Sequence, residues 1–179
     1  MRFKINKLIL LLASSTLYSM AGSSLYQSAY TSIDEKDCHT ISTHDLGATQ
    51  LCKSFAQIDV KVIESDLRQT ITLERNGTPY PLEFWRTISS SWSLLGKKIE
   101  WRYPKGQAKQ PIAMIARFKV SENPDNADDM TSYLVVSKIT QDQVCVVGKI
   151  PPQANQNQLA RDMADSSAGM RCIDRATPK

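Results

Sequence analysis

The residues whose types and spacing point to chemistry are charged side chains set into alternating apolar segments. Arg68, Glu100, Arg102 and Arg117 form the set, with Asp66 close to Arg68 in sequence. Glu100 and Arg102 interleave with Ile99, Trp101 and Tyr103. A strand that sends those three inward turns Glu100 and Arg102 to the opposite face. Ile112, Met114, Ala116 and Phe118 do the same for Arg117 in the next segment. If the two strands adjoin, Glu100, Arg102 and Arg117 meet as cross-strand neighbours. Guanidinium groups present planar donor forks that match carboxylates and phosphates. This face is therefore the expected site for a small anionic ligand. The competing expectation is a lattice of exposed ion pairs, which contributes little to stability.

Other chemistry is thinly represented. The chain lacks a Gly-x-Ser-x-Gly elbow and a phosphate-cradling Gly-x-x-x-x-Gly-Lys loop. Both of its histidines, His39 and His44, lie between Cys38 and Cys52, so a Ser-His-Asp triad would have to recruit one of them. Cys38, His39, His44 and Cys52 make a two-Cys, two-His set, but the spacing is unlike a zinc finger. Glu122, Asp125, Asp128 and Asp129 crowd one stretch, where Ala127 interrupts the alternation of oxygen ligands that calcium needs. That stretch reads as a solvated loop. No catalytic residue, metal or cofactor is expected.

Compartment follows from the first residues. Arg2, Lys4 and Lys7 precede the apolar run Leu8 to Leu12, and Ser19-Met20-Ala21 places small residues where a signal peptidase reads. Residues 1–21 are thus expected to be a signal peptide cleaved after Ala21. No cysteine follows the apolar run to carry a lipid anchor, and no later stretch is apolar enough to cross a bilayer. The chain has 22 Lys+Arg against 18 Asp+Glu, and the leader holds three of the basic residues and no acidic one. The exported chain is left with 19 against 18, so the basic excess belongs to the leader and gives no reason to expect nucleic-acid binding. Cys38, Cys52, Cys145 and Cys172 are an even set in an exported chain, which points to disulfides. Of the three possible pairings, Cys38–Cys52 and Cys145–Cys172 each close a local loop and are the expected pair.

Elements must position these groups. Tyr133 to Ile150 reads as a hairpin of two β-branched strands about a polar break at Thr140 to Gln143. Gln57 to Glu64 and Gln69 to Arg75 read as a second hairpin, ended by Asn76-Gly77. Lys98 to Tyr103 and Ile112 to Val120 read as strands. Leu82, Trp85, Ile88, Trp92 and Leu95 recur at helical spacing, which predicts a helix over Pro81 to Leu95, with Gly96 closing it. A second helix is predicted from Asn155 or Asn157 to about Ser166, with an Arg161–Asp165 ion pair along it. Ser32 and Glu35 fit a capping box for one helical turn. Residues 22–31 and 174–179 read as loose ends, and 39–50 as a loop.

Asp66-Leu67-Arg68, Lys98 to Arg102, Ala113 to Phe118, and Asn157 to Asp165 before the last cysteine resemble an uncharacterised family of small exported proteobacterial proteins. The resemblance covers most of the exported chain. It implies export and the cysteine frame, and it implies no activity.

The expected architecture is a single α+β domain over 22–179. It has an antiparallel sheet of about five or six strands with two packed helices, stapled by disulfides. The expected role is a non-enzymatic periplasmic or secreted binding protein, either protein-inhibiting or ligand-binding. Its partner would be a protein or a small anionic ligand of the cell envelope. The alternative is a cell-envelope hydrolase with an unrecognised active site.

Overall fold

Apolar residues at every second position place much of this chain in strands. The computed structural model describes residues 25–123 and 125–174. The expected leader, its cleavage point and the end of the tail lie outside the described residues. Ten strands occur among the described residues: Tyr26–Ser32 (β1), His39–His44 (β2), Gly47–Phe55 (β3), Ile58–Ser65 (β4), Arg68–Arg75 (β5), Thr78–Pro81 (β6), Ser93–Pro104 (β7), Ala113–Ser121 (β8), Met130–Ile139 (β9) and Val144–Ile150 (β10). Two α-helices accompany them, Phe84–Thr87 (α1) and Gln156–Asp165 (α2), with short 3-10 turns at Glu35–Asp37 and Ser167–Gly169.

All ten strands belong to one sheet, in the order β10-β9-β8-β7-β5-β4-β3-β2, with β1 added to β7 and β6 to β5. Every pairing is antiparallel except β5 with β7, which is parallel and aligns Arg68 with Ser93. Strand β7 is the junction. Its first residues adjoin β5, and its later residues pair with β1 from Ser32–Lys98 to Tyr26–Pro104. Its other edge pairs with β8, with a bulge between Leu95 and Ile99.

Val60, Val62, Ile71 and Leu73 of β4 and β5 share one buried cluster with Ile99, Trp101, Met114, Phe118, Val135 and Val146 of β7 to β10. The sheet must therefore curl around this cluster. Trp101 lies at its centre: the ring stacks on Phe55 at 5.2 Å, and Nε1 donates to Thr31 Oγ1 at 2.9 Å. Burying an aromatic of this size contributes about 1.5–3 kcal/mol, and the bond to Thr31 satisfies its one polar atom. A second cluster covers the outer face of β8 to β10. Ala113, Ile115, Val136 and Val147 pack beneath Ala160 and Ala164 of α2, whose small side chains let the helix lie close to the sheet. Gly148 completes the fit, because a Cβ there would fall 2.6 Å from Met163 Sδ.

The architecture departs from the expected five or six antiparallel strands with two packed helices. It is a mixed sheet of ten strands carrying two short helices. Three misread segments account for the difference. Within residues 22–31, expected loose, the chain from Tyr26 onward forms β1, whose partner edge on β7 supplies the regularity that the polar sequence hides. The expected loop 39–50 is β2 and the start of β3, and the two pair with each other. The predicted helix from Pro81 to Leu95 survives only as α1. Its apolar residues divide instead: Phe84 turns into the core against Phe118 at 5.2 Å, while Ser93 to Leu95 join the sheet. Ser89 to Ser91 favour local side-chain bonds over a continuing helix, and Ser91 N–H donates to Ser89 Oγ at 3.4 Å. The turn after Ser32 does form, but without a capping box: Asp34 is its N-cap and makes no side-chain cap bond.

Both expected disulfides are present, Cys38–Cys52 and Cys145–Cys172, spanning 14 and 27 residues of sequence. The second ties the tail to β10, where Ile173 N–H also donates to Val146 O at 2.8 Å. Replacing Cys145 and Cys172 together by serine is expected to cost about 2–4 kcal/mol of stability, slightly more than replacing Cys38 and Cys52, because the longer loop restrains the unfolded chain more. Urea denaturation of the two double variants measures the difference. Equal or reversed losses would contradict the loop-length argument.

Candidate functional site

Period-two alternation on β7 has the expected result. Ile99 and Trp101 point into the core, and Glu100 and Arg102 emerge on the face covered by α2. Arg117 of β8 emerges on the same face, two residues along from Ile115. The three charges therefore share one sheet face, but among the described residues they do not bond to one another directly. Helix α2 supplies the partners.

Arg102 is the deepest of them, its side chain only 6% exposed. Its Nε and Nη2 donate to the two oxygens of Asp165 at 2.8 and 2.6 Å, a two-pronged fork. Its Nη1 donates to Ser28 Oγ at 2.6 Å. Glu100 accepts from Arg161 Nε at 2.6 Å and from Ser28 Oγ. Arg161 also donates to Tyr30 Oη at 3.1 Å. The expected Arg161–Asp165 pair along the helix is therefore replaced. Each residue instead reaches down to an opposite charge on β7, where burial makes pairing more valuable than on an exposed helix face. Burial works to raise the Glu100 carboxyl, but the hydrogen bonds from Arg161 and Ser28 and the charge of Arg161 outweigh it and hold it below its ordinary value. Arg161 is pushed up in turn, chiefly by its bond to Glu100.

Arg117 stands apart from these pairs. Its Nη1 donates to Ser132 Oγ at 2.8 Å and to Gln156 Oε1 at 3.3 Å, both neutral. Gln156 is itself held by Nε2 bonds to Ser132 O at 2.8 Å and Ile150 O at 3.0 Å, so it fixes the guanidinium without neutralising it. Gly96 across the ladder makes room for the stem: a Cβ there would lie 2.7 Å from Arg117 Cβ. The glycine expected to end a helix thus serves this arginine. Arg117, Lys98 and Arg161 line a cleft of about 190 Å³ with Glu100, Tyr30 and Asn157. Three cationic groups against one carboxylate leave it positive.

Arg68 does not belong to this cluster. It sits at the β4–β5 turn and pairs with Asp66 at 2.6 Å. His39 and His44 lie exposed at the two ends of β2, and the disulfide takes up both thiols of the Cys38–Cys52 set. Sequence reasoning missed Ser28, Tyr30, Lys98 and Gln156. For Ser28 and Tyr30 no sequence signal exists once β1 is read as loose. For α2 there was one: Arg161 and Asp165, four residues apart, share a helix face with Asn157, and that polar stripe needed a partner.

Arg102→Ala strands Asp165 beneath the helix and is expected to cost about 3–5 kcal/mol, read as a lower urea midpoint. Glu100 also makes stability depend on pH. Its folded value lies below its ordinary 4.5, so its contribution is complete above the unfolded value and is lost as pH falls through the folded one. Glu100→Gln should flatten that acidic limb of the stability profile, and an unchanged limb would assign it to other carboxylates. No family model matches the chain, and no curated protein or solved structure does.

Proposed function

We propose that this is a non-enzymatic binding protein of the periplasm or extracellular space, which takes an anionic group in the cleft between β7, β8 and α2. The observation that carries the proposal is Arg117: its guanidinium is positioned by neutral partners, beside Lys98, with no carboxylate assigned to it among the described residues. A purely structural arginine would be expected to pair as Arg102 does. Placement outside the cytoplasm, and kinship with the small exported proteobacterial family, belong to the same proposal. The leader-like start and the two disulfides support them.

The cleft is smaller than the roughly 300–1,000 Å³ typical of sites that enclose a drug-sized ligand. It suits a single carboxylate or phosphate, whether free or carried on a larger molecule. Lys98 is exposed at the mouth and adds long-range attraction, and Arg117 adds directed donors.

Calorimetric titration with inorganic phosphate and with succinate tests the reading. Arg117→Ala should weaken binding about tenfold or more, the loss expected for one charge-assisted bond, and leave the melting temperature close to that of the parent. Affinity capture from envelope extracts with both proteins then separates a free anion from an acidic protein partner. Retention of binding in Arg117→Ala would defeat the proposal and leave the cluster as a structural lattice.

A further inference from the structure

At the opposite end of β7 from Tyr103, three chain turns converge. Asp66 N–H donates to Leu46 O at 2.9 Å, Ser93 N–H to Leu67 O at 3.0 Å, and Ser121 N–H to Trp92 O at 2.9 Å. These bonds line up Leu46, Leu67 and Trp92 on one rim, and all three are solvent-exposed, at 61%, 57% and 53%. Leu94 follows Trp92 on the same side of β7 and is also exposed. Scattered exposed leucines need no explanation, but a contiguous row marks an interaction surface. Leu67 is the most telling. It sits in the left-handed region at φ 59°, after Asp66 at φ 52°, where a tight hairpin favours Asn-Gly and a bulky side chain is disfavoured. More than half of Leu67 is left exposed there.

The rim is flanked by two concavities of about 390 Å³ each. Glu64 and Leu94 line the first, and Asp66 and Trp92, two residues along the same chain segments, line the second. Asp34, Glu35 and Glu64 outnumber Lys97 in the first, and Asp66 and Glu122 outnumber Arg68 in the second, while exposed Lys119 lies opposite Leu94 in the ladder. Asp34 pairs with Lys97 at 3.1 Å and Asp66 with Arg68 at 2.6 Å. Glu35 and Glu64 in the first and Glu122 in the second have no cationic partner among the described residues. Glu64 accepts from Gln69 at 2.8 Å and Glu122 from Tyr133 Oη at 2.8 Å, both neutral donors. Asp125, Asp128 and Asp129 extend the acidic side along the adjoining loop.

We infer that this rim docks a basic segment of a partner polypeptide, with apolar side chains on Leu67 and Trp92 and lysine or arginine side chains in the two acidic concavities. Charge complementarity selects this occupant. Uncompensated carboxylates on both flanks repel anionic bilayers, and they repel the same surface of a second copy. An exposed tryptophan in one concavity with Glu122 is a favourable anchor, both as apolar area and as a face for cations. The side chains tested here, Trp92, Glu64 and Glu122, do not line the Arg117 cleft, so Arg117→Ala and Trp92→Ala test the two proposals separately.

The test uses fluorescence anisotropy of a short labelled peptide alternating lysine and leucine, with a glutamate–leucine peptide as control. The lysine peptide should bind and weaken with added salt, and the control should not bind. Trp92→Ala should weaken binding about tenfold or more. Glu64→Gln and Glu122→Gln should each weaken it about twofold to fivefold. These positions are exposed or carry neutral partners, and circular dichroism melts confirm that each variant is folded. Absence of binding, equal binding of the control, or binding indifferent to Trp92→Ala would overturn the inference. Two further results would also overturn it in favour of another occupant. One is Trp92-dependent adsorption to vesicles containing anionic lipid. The other is Trp92-dependent self-association in sedimentation.

Discussion

Strand β7 has to satisfy two incompatible solvents at once. Trp101 and Ile99 are fully buried between the two halves of the curled sheet, and Glu100 and Arg102, on alternate positions, lose most of their water to α2. An aromatic core on one side stabilises the strand only if the charges on the other side find partners, because an unpaired buried charge costs several kcal/mol. The Arg102–Asp165 fork and the Arg161–Glu100 pair meet that condition. They also fix where α2 lies and which way it faces. The helix also buries Ala160 and Ala164 and packs Met163 against the outer cluster, so charge pairing and burial together set its orientation on the sheet.

That arrangement leaves a surplus at one point. Two cations of the outer face are matched by two carboxylates across the β7–α2 boundary, and Arg117 is held by an amide and a hydroxyl instead. A lattice built for stability alone gains nothing from a fixed, unneutralised guanidinium. A binding cleft does, because its donors are already aligned before the ligand arrives. The far rim has the opposite character: its exposed apolar turns lie beside Glu35, Glu64 and Glu122, which have no cationic partner among the described residues. Small overall net charge thus conceals two surfaces of opposite sign. Averages over the whole chain miss them because they sum what the fold separates.

The disulfides sit toward the two ends of the sheet's strand order. Cys38–Cys52 ties the chain just before β2, an edge strand exposed along its whole length. Cys145–Cys172 ties the segment after α2 to β10.

The strands over 58–75, 113–121 and 130–150 were legible in the sequence, because their apolar residues recur at every second position and turn residues bound them. So were the second helix and the cysteine pairing, which depend on local spacing. The facing of Glu100, Arg102 and Arg117 was legible for the same reason, since side-chain direction in a strand follows from sequence position alone. Which charges pair was not legible. Asp165 reaches Arg102 across 63 positions and Ser28 reaches Glu100 across 72, and no local pattern encodes such distances. β1 and β2 were hidden too: their residues are polar, and they are strands because a neighbouring edge offers hydrogen bonds. The segment 81–95 was misread because helical spacing and burial on two different elements place apolar residues alike. By itself the sequence determined which residues turn toward a core and which toward water. Only the tertiary structure decided which charges meet, because opposite charges separated along the chain interact once packing removes the water between them.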